Sequence, residues 1–153
     1  MCSDPKLRKT AVLASIHKEY LDKILSGEKT IEVRTNTPKS ILTPFTVFFY
    51  ETAQGGGARR VLAKALCTGF DILKGTDLTD AGETVLADFL QKSCLTREQV
   101  KKYMGTHTTL FGWKLERVKS VDISLEECGV KRPPQSWVYV DIPPGGHSGD
   151  FHS

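Results

Sequence analysis

The residue types best suited to chemistry fall together in one octet, Gly27-Glu28-Lys29-Thr30-Ile31-Glu32-Val33-Arg34. Lys29 to Arg34 reads as a strand, and side chains alternate between the two faces of a strand. Ile31 and Val33 then share an apolar face suited to a core. Thr30, Glu32 and Arg34 share the other face, spaced about 7 Å apart at about 3.3 Å of rise per residue. Lys29 stands at the strand entrance, just after Gly27. On such a polar wall Arg34 can fork onto a phosphate or carboxylate and Lys29 can add a point charge. Glu32 can accept hydrogen bonds from a base edge, or hold Arg34 and Lys29 in place, since a partly buried carboxylate needs a partner. If the wall is catalytic, Lys29 and Glu32 are its general acid and base. The same alternation also describes a half-exposed strand with a plain polar face.

The elements that position this wall follow from periodicity. Ala11 to Ile16 is a short apolar run that suits a strand buried on both faces. His17 to Ser26 predicts a helix with Tyr20, Leu21, Ile24 and Leu25 as its apolar stripe, Ser15 placed to cap it and Gly27 to end it. Strands are expected over 44–50 and 60–70, joined by a loop whose Gly55-Gly56-Gly57 suits a hairpin tip. Asp80 and Glu83 have capping spacing ahead of a helical stripe of Val85, Leu86, Phe89 and Leu90. Thr96 and Gln99 form a capping box that opens a second helix, with Val100, Tyr103 and Met104 inward and Gly105 at its end. Strand patterns return over 109–123 and 136–142, the latter after Pro133-Pro134. This order predicts an α+β fold around a curved sheet or small barrel. The expected organisation is a flexible arm at 1–10, one folded domain at 11–142 and a disordered tail at 143–153.

Composition narrows the partners. A formal charge of +3 is too small for the basic stripe of a duplex-binding protein. Cys2, Cys67, Cys94 and Cys128 form no C-x-x-C pair and the histidines lack ligand spacing, so neither a metal nor another cofactor is expected. The cysteines read as free thiols of a reducing, cytoplasmic protein. The apolar run at Ala11 to Ile16 is too short for a signal core or a membrane span. Secondary candidates each have two readings. Trp113 and Trp137 suit base stacking or core packing, and Tyr50 suits the cleft or the core. Gln135 and Ser136 follow a rigid Pro-Pro and either meet a ligand or simply start the last strand. Arg59 and Arg60 flank the glycine loop as phosphate contacts or as solvated charge. His17 is a surface residue or a ligand contact.

The stretch from Ser15 to Arg34 resembles an ASCH domain, whose pattern G-x-K-x-x-E-x-R is met by Gly27, Lys29, Glu32 and Arg34. Arg132-Pro133-Pro134-Gln135-Ser136-Trp137-Val138-Tyr139-Val140 resembles the closing strand of small stand-alone ASCH proteins of phages and bacteria. The resemblance spans roughly residues 11–141. It implies a PUA-like small β-barrel flanked by helices. It also implies a cleft beside the first helix for RNA, expected to be single-stranded, or for a nucleotide or nucleoside. Pattern and resemblance together nominate Lys29, Thr30, Glu32, Arg34, Tyr50, Gln135, Ser136 and Trp137 as ligand-binding. Some small members resemble amidohydrolases that remove an acetyl group from a modified cytidine, and others are described as ribonucleases. In the amidohydrolase-like members a Lys stands at the position of Lys29 and a Thr nucleophile at that of Glu32. A carboxylate cannot replace that hydroxyl in acyl transfer, and the nearest match to those members' catalytic glutamate is Gln91. Recognition of RNA or a nucleotide is therefore the expected function. A hydrolase acting on a modified nucleoside or RNA and a protein-binding adaptor are the competing expectations.

Overall fold

The computed structural model describes residues 10–79 and 82–142. Nine regular elements carry the architecture. They are β1 (Ala11–Ile16), α1 (Lys18–Ser26), β2 (Ile31–Arg34), β3 (Phe45–Glu51), β4 (Arg60–Lys74), α2 (Glu83–Ser93), α3 (Arg97–Met104), β5 (Thr109–Ile123) and β6 (Trp137–Val140). The expected arm (all but Thr10), Asp80 and the expected tail lie outside the described residues.

Alternation sorts the strand side chains into separate cores. In β1, Val12, Ala14 and Ile16 join the core under α1, while Ala11 and Leu13 join a second core on the opposite face. In β3, Phe45, Val47 and Phe49 join the first core and Phe48 and Tyr50 the second. A third core lies under α2 and α3, where Ile31 and Val33 of β2 meet Leu86, Phe89, Val100 and Met104. Fully burying a side chain of this size contributes about 1.5–3 kcal/mol. Val85, Tyr103 and Leu25, expected inward, are instead 48%, 43% and 38% exposed. Each stands beside the residue that takes the stripe, namely Leu86, Met104 and Ile24.

Local signals set most element ends. His17, not Ser15, takes the cap position of α1, and its carbonyl accepts from Tyr20 and Leu21 at 3.0 Å. Gly27 ends α1 at φ 89°, a conformation glycine adopts without strain, and donates to the Ile24 carbonyl. β2 starts two residues later than its composition suggests. The Lys29 amide is bonded to the Lys23 carbonyl and the Thr30 amide to the Lys92 carbonyl, so both belong to the turn. β4 runs on to Lys74 because β5 is equally long and pairs with it throughout, with bulges that bend the ribbon.

The six strands form one sheet in the order β2-β5-β4-β3-β1-β6, with β1 parallel to β3 and all other neighbours antiparallel. The α+β class is as expected, but the barrel is not closed. Among the described residues β2 pairs only with β5 and β6 only with β1, each over four residues, so two edges remain. Side chains bridge them. Arg34 of β2 reaches Ser136, which precedes β6. Asn36, just after β2, accepts from both Trp113 and Trp137 through its carbonyl and side-chain oxygens. The Tyr139 hydroxyl accepts from the Lys39 and Ser40 amides. Among the described residues no helix is long and apolar enough to cross a membrane.

Candidate functional site

Glu32 sits at the centre of a buried charge cluster. Its Oε1 lies 3.3 Å from Lys29 Nζ and its Oε2 accepts from Arg34 Nη2 at 2.7 Å. Lys29, Glu32 and Arg34 are 2%, 8% and 5% exposed, so three ionisable groups are held in a small, nearly dry space. Burial opposes ionisation of Glu32 more strongly than any one neighbour favours it. Arg34 and Lys29 together outweigh that cost, by charge and by hydrogen bonding, and hold the carboxyl below its ordinary value.

Each cation is in turn anchored by backbone. Lys29 Nζ donates to the Ser93 carbonyl at 2.7 Å, at the C-terminus of α2 where unpaired carbonyls and the helix dipole favour a cation. It also lies 5.3 Å from the centre of the Tyr20 ring. Arg34 Nη2 donates to the Ser15 carbonyl at 2.8 Å, and Nη1 donates to the carbonyl and hydroxyl of Ser136, both at 3.1 Å. The Ser15 hydroxyl donates to the Pro134 carbonyl at 2.6 Å, so the Pro-Pro segment is fastened to the end of β1. Arg34 Nε is buried and, among the described residues, is the buried side-chain polar atom without a partner.

This cluster forms one wall of a cleft of about 330 Å³. Ser15 and Ile16 at the end of β1 and His17 at the cap of α1 line a second side, with Thr52 just after β3 and Gln135. Leu95, Gln99 and Tyr103 close the far side from α3 and the turn before it, facing Tyr20 of α1. The two helices are tied together. Thr96 and Gln99 exchange capping-box bonds at 3.1 and 2.9 Å, and Gln99 Nε2 donates onward to the Tyr20 hydroxyl at 3.2 Å. His17 Nδ1 and the Thr52 hydroxyl are 3.0 Å apart at the rim. Burial raises the Tyr103 hydroxyl, the Arg34 charge opposes this and the Glu32 charge adds to it; the net shift is upward.

The structure therefore brings Lys29, Glu32, Arg34 and Gln135 to one cleft. It places Ser136 behind them as a partner of Arg34. Thr30 is exposed in the turn, its backbone bridging Lys92 and Leu115. Tyr50 points into the second core with Phe48, on the other face of the sheet, by the period of the strand. Trp137 packs edge-to-face on Trp113 and on Tyr139. The fork of Arg34, expected to be open to a phosphate, is spent on the protein: four acceptor contacts meet its two terminal nitrogens. Thr52, Gln99 and Tyr103 were not legible as lining residues. The i, i+4 spacing of Gln99 and Tyr103 was the available signal, since it places them on one helix face.

An open, curved α+β sheet with a cleft beside its first helix is the PUA-like class. Within that class a family model for the ASCH domain matches residues 15–127. The chain belongs to the ASCH domain family. No curated protein matches the sequence. Among solved structures, the ASCH protein from Zymomonas mobilis is similar over 86% of this chain and 87% of its own, at 18% identity and a TM-score of 0.69. Two point-mutant forms of that protein, also 18% identical, align with TM-scores of 0.69 and 0.68. They cover 86% and 85% of this chain and 89% of their own. Identity this low speaks for the fold alone.

Proposed function

We propose that the chain binds a nucleotide, free or as one unit of single-stranded RNA, with its base inserted into this cleft. The observation that carries the reading is Glu32, held between Lys29 and Arg34 in the wall of a cleft that Tyr20 and Tyr103 also line. A cleft of about 330 Å³ lies at the small end of ligand sites, which span about 300–1,000 Å³. That suits one nucleoside-sized group and is too small for a duplex. The buried cations are engaged by protein acceptors, so the phosphate remains at the rim and the base takes the interior. Membership of a family with a PUA-like fold supports the same reading.

The cluster is better built to bind than to turn over a substrate. A carboxyl held below its ordinary value is a poor proton donor near neutral pH. Tyr103→Ala, at an exposed position, is the test. Loss of one stacking surface costs about 1–3 kcal/mol, or roughly five- to 150-fold in affinity for short single-stranded RNAs. Calorimetric titration of wild type and variant with pentaribonucleotides measures it. Equal affinities would remove the cleft from consideration as the binding site.

A further inference from the structure

Resting on that reading, we infer that the cleft selects its base, and that the base is guanine. The cluster presents its groups in a fixed order. Lys29 flanks Oε1 of Glu32 and Arg34 flanks Oε2, so the wall reads donor, acceptor, acceptor, donor. Each member keeps unused capacity. An ammonium has three N–H donors, and Ser93 and Glu32 engage two of those of Lys29. A carboxylate has about four lone-pair sites, and one contact falls on each oxygen of Glu32. Arg34 retains its Nε–H, buried without an acceptor, on the guanidinium edge it shares with Nη2.

The edge complementary to Lys29 and the two carboxylate oxygens is acceptor, donor, donor. The pairing edge of guanine has that order: O6, N1–H and the N2 amino group. Two adjacent N–H groups meet the two carboxylate oxygens, a charge-assisted pair. O6 meets the remaining ammonium proton of Lys29. Uracil offers one N–H between two carbonyls, so one carboxylate oxygen would face a carbonyl oxygen. Adenine and cytosine turn a bare ring nitrogen toward the carboxylate beside a single amino group. The low exposure of Lys29, Glu32 and Arg34 fits contact with the thin edge of a planar ring.

The experiment titrates the full chain with the pentaribonucleotides U-U-X-U-U, where X is guanosine, inosine, adenosine, cytidine or uridine, and with the matching 5′-monophosphates. Guanosine should bind tightest. Inosine lacks only the N2 amino group and should bind about ten- to a hundredfold more weakly, the loss expected for one hydrogen bond to a charged group. Glu32→Gln should flatten the preference. The inosine comparison uses wild-type protein, so the inference stays testable if that variant fails to fold. Equal affinity for all bases, or a preference for another base, overturns the guanine inference and leaves nucleotide binding standing. No measurable binding of any probe overturns both.

Discussion

At the residue scale the decisive fact is that Arg34 and Lys29 are partners of Glu32 before they are partners of any ligand. Removing one member of a buried ion cluster strands the others, which typically costs about 3–5 kcal/mol. Arg34→Ala should therefore lower stability by that order, read as a shift in the urea midpoint. Arg34→Lys keeps the charge, but an ammonium cannot span Ser15, Glu32 and Ser136 at once. It should recover only part of the loss, and full recovery would show that charge alone matters. The same cluster sets a pH dependence. Because the folded chain holds the Glu32 carboxyl below its unfolded value, its contribution is present above the ordinary carboxylate range. That contribution is lost as pH falls through the folded value. Urea melts from about pH 7 to about pH 3 should show wild type losing more stability than Glu32→Gln. Parallel curves would mean that Glu32 does not titrate differently in the two states. That Glu32 would find a cationic partner was legible in the sequence from the need of a buried carboxylate for one. That Arg34 would turn inward was not, because its acceptors lie at Ser15 and Ser136, remote in sequence.

At the element scale, short local signals succeeded where distant contacts do not compete. The Thr96–Gln99 box and the Gly27 terminus formed as their chemistry dictates. The start of β2 was misplaced because two carbonyls, of Lys23 and Lys92, claim the amides of Lys29 and Thr30. No local propensity carries that information. Tyr50, nominated for the cleft, lies in the second core, on a strand whose residues are all buried and where composition does not distinguish the two sides. Thr96→Ala should cost about 1 kcal/mol by removing the cap of α3. Because Gln99 and Tyr103 ride on that helix, it should also weaken ligand binding more than a surface change of equal cost elsewhere, such as one on the exposed side of α2. Calorimetry on both variants makes that comparison. Gly112 of β5 pairs with Val33 of β2 and packs against Ile31 of β2 and Phe89 of α2. A β-carbon there would lie 2.7 Å from Ile31 Cδ1 and 3.1 Å from a ring carbon of Phe89. Gly112→Ala should destabilise by about 1–3 kcal/mol through overpacking, seen as a lowered melting temperature.

For the whole molecule, the α+β class followed from the order of elements, but the degree of closure did not. Closure depends on whether two four-residue edge strands meet, and nothing in their own sequences decides that. Side chains span the gap instead: Arg34 to Ser136, Asn36 to Trp113 and Trp137, and Tyr139 to the Lys39 and Ser40 amides. Asn36→Ala should release only Trp137, since Trp113 is held by the Asn36 backbone carbonyl. About 0.5–1.5 kcal/mol of stability should go with it, measured by denaturant melts. The placement of the indoles also has an optical consequence. The only two tryptophans of the chain stand edge-to-face with ring centres 5.9 Å apart, one fully buried and one partly so. At that separation the emission of either indole should depend on the surroundings of both, which intrinsic fluorescence of the wild type and Trp137→Phe would check. Ser136, the neighbour of Trp137, is bonded to the Arg34 guanidinium. Through Ser136 and Arg34 the pair adjoins the cleft wall, and an occupant of the cleft should announce itself as a change of colour or yield without any added label.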